Sequence, residues 1–205
     1  MPVGGPRVET DARYQAKNAE FHLSPPELQS LIDHAACLRD RLIIALFVYT
    51  GLRRAELQKL RAGDVDYPRR RLLIRSGKGG KQRIVFLTDS LIEDLGKHAE
   101  SNDRFLFCGR GEQPMSLRNI NYIVSRTAER AGVQTPNPRY RSVGPHLLRH
   151  SFARNWKRAG GSLESLQKLL GHSSLKTTLD IYGTESQGET EDNFRLIARM
   201  LAFNA

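Results

Sequence analysis

Apolar residues recur at Leu28, Leu31, Ile32 and Ala35, an i, i+3, i+4, i+7 spacing that predicts an amphipathic helix. Just ahead of it, Ser24 can cap the helix, Pro25 suits its first turn, and Glu27 completes a capping box. The next segment, about Arg39–Thr50, contains the run LIIALFVY and is apolar nearly all round. That pattern predicts a helix buried at the centre of the fold, ended by Gly51. A third helix is expected around Arg54–Leu60. The period then changes: Leu72–Arg75 and Arg83–Phe86 are short, branched-rich runs on either side of a glycine turn, which reads as a β-hairpin. Helical spacing returns at about Asp89–Glu100 and at Leu117–Ala131, the latter closed by Gly132. A proline-punctuated loop, VQTPNPRYRSVGP, leads to a helix opening at PHLLRHS. Beyond Gly160 and Gly161, helices are expected at Leu163–Leu170, Leu175–Ile181 and about Glu191–Ala202. No internal repeat is visible, so the expected fold is mainly α with a small antiparallel β-sheet (α+β).

Charge narrows the choice of partner. Among 205 residues, Lys and Arg number 32 and Asp and Glu 22, a net charge of +10. On a chain with an ordinary apolar content, that excess points to a folded protein with a polyanionic partner, nucleic acid before membrane surface. Leu42–Tyr49 is far too short to cross a bilayer, and MPVGGPRVETDARYQ lacks the apolar stretch of a signal peptide. A cytoplasmic location is therefore expected. Cys37 and Cys108 lie far apart without CxxC spacing and read as reduced core residues. Residues 1–22, polar and carrying Gly and Pro, read as a flexible arm ahead of a single unit over 23–205.

Candidate chemistry begins at GPHLLRHS, where His146, Arg149 and His150 share one face of a helix. Two histidines four apart suggest H-E-x-x-H, but that metal chemistry needs a glutamate where Leu147 stands. A purely structural role is the plainer alternative, yet an arginine between the histidines needs a partner if buried, and an anion is the natural one. Four other stretches each have a bland reading. Arg53 in TGLRRAEL fits an ordinary surface arginine. Lys78 and Lys81 in SGKGGKQR fit a solvated hairpin tip, and the spacing is not that of a phosphate loop. His172 in LLGHSS fits a capping or core histidine, and Tyr182 in LDIYG fits packing or surface filler.

In combination, TGLRRAELQKLRAGDV, GKGGKQR, PHLLRHSFA, LLGHSSLKTT and DIYG resemble, in order, the motifs of the tyrosine recombinase (phage integrase) family, specifically its catalytic domain. The likeness runs from about Leu23 to Tyr182. It implies a pocket of Arg53, Lys78, His146, Arg149 and His172 with Tyr182 as nucleophile, using neither metal nor other cofactor. It also implies cleavage and rejoining of double-stranded DNA through a covalent 3′-phosphotyrosyl intermediate, with Lys78 as general acid and self-assembly as a tetramer on two sites. Elementary chemistry agrees with those roles. Fixed positive donors stabilise the charge that builds on a phosphate in the transition state, arginine forks grip two oxygens at once, and His146 is a suitable acceptor for the phenolic proton. A free phenol, with a pKa of about 10, needs that help. Glu56 and His150 are expected to support the pocket from behind, Glu56 by orienting Arg53.

The resemblance leaves open how far the chain extends beyond a catalytic domain. Only about twenty residues precede the first helix, so the chain is expected either to be an excised catalytic domain or to resemble the short, invertase-like members that lack the extra DNA clamp, and without that clamp binding should be weak and salt-sensitive. Phe194, Ile197, Ala198 and Leu201 stripe a terminal helix at about 190–203, which is expected to pack on its own core or to dock in trans on the next protomer. Two further functions stay open: a DNA-binding accessory protein that keeps the fold without catalysis, and a DNA-relaxing enzyme of the type IB topoisomerase kind that shares the chemistry.

Overall fold

The computed structural model describes residues 21–75, 82–98, 105–109, 111–137 and 141–172. Lys78, Tyr182 and the expected helices at Leu175–Ile181 and Glu191–Ala202 lie outside them, as do residues 1–20 of the expected arm. Within them the chain forms helices α1 (Pro25–Asp33), α2 (Leu38–Thr50) and α3 (Arg54–Gln58), then strands β1 (Val65–Asp66), β2 (Arg71–Ile74) and β3 (Arg83–Phe86). Helices α4 (Asp89–His98), α5 (Leu117–Arg130), α6 (Pro145–Arg158) and α7 (Leu163–Leu170) follow. The three strands form one antiparallel sheet in the order β1-β2-β3. The fold is thus mostly helical with a small antiparallel sheet.

Helix α2 is the hub, packing against α1, α4, α5 and α6. Leu42, Ile43, Ile44, Leu46 and Phe47 are completely buried, which explains an apolar run with no polar stripe. Tyr49, at the end of that run, is exposed. The helix stops where Gly51 adopts φ 61°, a left-handed turn that glycine adopts without steric cost. A Cβ there would lie 2.5 Å from the ring of Phe152 on α6, so the turn also brings α6 close. Helix α1 begins as its sequence suggests, with Glu27 accepting the Ser24 backbone N–H at 2.7 Å. It ends at Asp33, two residues short of the Ala35 that closes the expected stripe.

Three further departures are local. The third helix stops at Gln58, short of Leu60. Strand β1, only two residues long, has no periodic signature and exists because Val65 and Asp66 pair with Leu72 and Arg71. Cys37 is exposed and Cys108 only partly buried, both as free thiols, which corrects the expectation of core cysteines. Cys37 is the N-cap of α2, a position that leaves its side chain outside the core.

Candidate active site

The site is assembled where several elements end. Arg53 is the N-cap of α3, directly after the turn that terminates α2. His146 and Arg149 lie one turn apart on α6. His172 follows Gly171, whose φ of 63° closes α7. Arg53, His146, Arg149 and His172 line one cleft of about 760 Å³, together with Arg118 and Tyr122 from α5. His150 faces a separate, smaller cavity of about 230 Å³, which His146 also borders.

Arg149 is 6 % exposed, and backbone carbonyls are among the partners that hold its guanidinium. Its Nη1 donates to the Gly51 carbonyl at 2.6 Å and its Nη2 to the Leu170 carbonyl at 2.9 Å. Both carbonyls belong to helix C-termini, where peptide oxygens lack intrahelical donors and the helix dipole is negative. The end of α7 collects two more arginines. Arg53 Nη1 donates to Leu170 O at 3.2 Å, and Arg83 Nε donates to Leu169 O at 2.7 Å. The chain therefore concentrates positive charge beneath the cleft by giving each guanidinium a backbone acceptor.

Among the described residues, Glu56 is the carboxylate bonded within this group. It is 5 % exposed, and all four of its acceptor positions are used. Oε1 accepts from Arg53 Nη1 at 3.0 Å and Arg83 Nη1 at 2.7 Å. Oε2 accepts from the Arg53 backbone N–H and from Arg83 Nη2, both at 2.7 Å. Burial alone would raise its pKa, but the hydrogen bonds and charge of Arg83, with those of Arg53, outweigh burial and hold it at about 2. Among the described residues Glu56 stands against Arg53, Arg83 and Arg149, a net positive charge suited to a phosphate.

His172 is shifted in the opposite sense from a histidine that pairs with acid. Burial first, then the charges of Arg149, Arg53 and Arg83, lower its pKa to about 4, with Glu56 opposing. The ring is neutral at pH 7. Its Nε2 lies 3.1 Å from Arg149 Nη2; because arginine only donates, Nε2 accepts and the ring proton is assigned to Nδ1. Gln167 closes the turn around it, donating from Nε2 to the His172 carbonyl at 3.3 Å.

Among the sequence-selected residues, Arg53, Glu56, Arg149 and His172 thus form one bonded group, and His146 faces the same cleft. Arg83 is the residue the sequence reading leaves in a strand. In β3 the inward positions are Arg83 and Val85, paired with Ile74 and Leu72, while Ile84 and Phe86 are 47 % and 64 % exposed, the reverse of what the apolar residues of RIVF favour. A cation on the inward face of a strand requires a buried partner. Among the described residues, no group of three or more His, Cys, Asp or Glu side chains is placed to hold a metal ion, and no helix is long and apolar enough to cross a membrane.

Residues 22–189 match the sequence profile described as the phage integrase family. A tyrosine recombinase XerA from Thermococcus kodakarensis is 35 % identical over 172 residues, covering 80 % of this chain and 58 % of that protein. The crystal structure of a XerA recombinase superposes with a TM-score of 0.73 at 30 % identity, over 85 % of this chain and 64 % of the other. A XerH site-specific recombinase bound to palindromic difH substrate, in a post-cleavage complex, gives a TM-score of 0.70 at 27 % identity, over 86 % of this chain and 53 % of that one. The chain therefore spans between about half and two thirds of these relatives' lengths.

Proposed function

Because the chain belongs to the phage integrase family, we propose that it is a site-specific recombinase or integrase, cleaving and rejoining double-stranded DNA through a tyrosine-linked intermediate. The observation that carries this reading is the convergence of Arg53, His146, Arg149 and His172 on one cleft, although they span residues 53 to 172 of the sequence. The similarity to recombinases captured on DNA supports the same partner.

In this reading the scissile phosphate sits in the cleft with its non-bridging oxygens toward Arg53 and Arg149. The Tyr182 oxygen attacks phosphorus as its proton passes to His146, and the bond from phosphorus to the 5′-oxygen breaks. Lys78, on the β2–β3 connection, protonates that leaving oxygen. The 3′-phosphotyrosyl bond conserves the energy of the broken linkage, so a second 5′-hydroxyl can reverse the step without ATP. Arginine forks already held by Gly51 O, Leu170 O and Glu56 need little reorganisation as charge develops, which is where preorganised donors lower a barrier. Neutral His172 contributes hydrogen bonding rather than charge.

Exchange between two DNA sites further implies assembly of four protomers, with the C-terminal segment at 190–203 as the candidate for docking in trans. The place of action is wherever the DNA substrate lies, which for this reading is the cytoplasm, in keeping with the mobile elements many integrases serve. The deciding experiment uses a duplex nicked next to the cleavage point, so that the short 5′-fragment diffuses away and traps the adduct. The wild-type chain forms a covalent protein–DNA species and Tyr182→Phe forms none. DNA binding without adduct from the wild type sinks the catalytic reading in favour of an accessory protein. Relaxed supercoils without recombinant product move it to a topoisomerase.

A further inference from the structure

The Arg83 side chain is mostly enclosed where a surface strand position would leave an arginine in water. Strand β3 turns Ile84 and Phe86 outward, 47 % and 64 % exposed, and turns the Arg83 guanidinium inward, where its side chain is 9 % exposed against Glu56. Placing a cation in the interior while an isoleucine and a phenylalanine face water breaks the usual pattern of a half-buried strand. Such local violations mark functional positions. The surroundings are shaped to receive it. Gly171 has φ 63°, and a Cβ on it would lie 2.9 Å from Arg83 Nη1, so a side chain there would crowd the guanidinium. The guanidinium itself makes a two-point fork to Glu56 at 2.7 Å on each arm and a third bond to Leu169 O. It thus touches α3 and the end of α7, which carry Arg53 and lead into His172, from the strand that follows the Lys78 connection in sequence.

We propose that Arg83 is a positioning residue that clamps the β2–β3 hairpin to Glu56 and the α7 terminus, and through Glu56 fixes the pose of Arg53 in the cleft. The assignment rests on reading the cleft as a DNA-cleavage pocket. Lysine cannot replace the clamp, because a point charge cannot span both carboxylate oxygens and a carbonyl.

The test compares single-turnover adduct formation on the nicked duplex for wild type, Arg83→Lys, Arg83→Gln and the double variant Arg83→Gln/Glu56→Gln. Arg83→Gln is expected to form adduct roughly 10–100-fold more slowly, the range typical of lost supporting contacts, with DNA affinity unchanged. Arg83→Lys recovers part of that rate. Glu56 is faced by Arg53 from α3 and Arg83 from β3, with His172 beyond the end of α7. Without Arg83 its carboxyl is left with burial and a single arginine, so its pKa rises and the Arg83→Gln rate acquires an added acidic limb. The rate of Arg83→Gln relative to the double variant, whose amide does not titrate, therefore falls with acid, whereas the ratio of wild type to double variant stays level. If Arg83→Gln does not fold, the double variant leaves no buried carboxylate unpaired and carries the test through its rate. Wild-type rates in the variants overturn the inference, as does a loss in Arg83→Gln that is equal at every pH. Failure of the wild type itself to form adduct is a different result, and removes the cleavage reading instead.

Discussion

The apolar core around α2 and the arginine junction beneath the cleft adjoin each other, for α2 runs from one into the other. In the core, Leu46 and Phe47 are fully enclosed by other apolar side chains, and what matters is volume, since dispersion and burial have no direction. At the junction, Arg149 joins the Gly51 and Leu170 carbonyls and Arg83 joins Glu56 to Leu169. There each contact depends on the angle and number of donors. A substitution that preserves size is therefore mild in the first region and severe in the second, and this contrast can be broken by experiment.

The sharpest break is Arg149→Lys. It keeps the charge but cannot bond both carbonyls and His172 together, so adduct formation should slow by roughly 10²–10³-fold while DNA affinity stays close to wild type. A lysine variant that cleaves normally would place the junction under the same rule as the core.

Acid should separate the regions next. Glu56 has a folded pKa of about 2 against 4.5, so its stabilisation is complete above 4.5 and disappears as pH falls through about 2, a loss on the order of 3 kcal/mol. His172, at about 4 against 6.5, is also depressed. The unfolded chain takes up its proton first, so stability falls between about 6.5 and about 4 as well. Urea midpoints measured over pH should drop in two stages, and His172→Gln should flatten the upper one. A level profile from about pH 6.5 down to about 3 would contradict both assignments.

The smallest effect is expected in the core. Leu46→Met keeps volume and should cost less than about 1.5 kcal/mol, with the adduct rate unchanged when adjusted for the folded fraction. A slowed rate here would show that the core sets the junction's geometry, and the contrast would lose its meaning.

This difference in rules also explains which parts were legible in the sequence. Helix α1 could be read from Ser24, Glu27 and its leucines, α2 from its unbroken apolar run, and the stop at Gly51 from one residue, because these signals are local. The spacing of His146 and Arg149 placed them on a shared helix face for the same reason. What joins Arg149 to Gly51 and Leu170 is not local, and backbone carbonyls have no letter in the sequence. Arg83 was harder still. Alternation in RIVF favours burying Ile84 and Phe86, and only the tertiary partner Glu56 reverses that choice. Strand β1 and the exposure of Cys37 likewise depend on what packs alongside.

The backbone of Leu23 has a consequence of its own. Its N–H donates to Ser151 Oγ and its carbonyl accepts from Asn155 Nδ2, both at 2.9 Å, and its side chain is completely enclosed. Ser151 and Asn155 are successive turns of α6, the helix that bears Arg149. Tension applied to the chain ahead of residue 21 would therefore be delivered first to that helix, making Leu23 the mooring through which a mechanical load reaches Arg149.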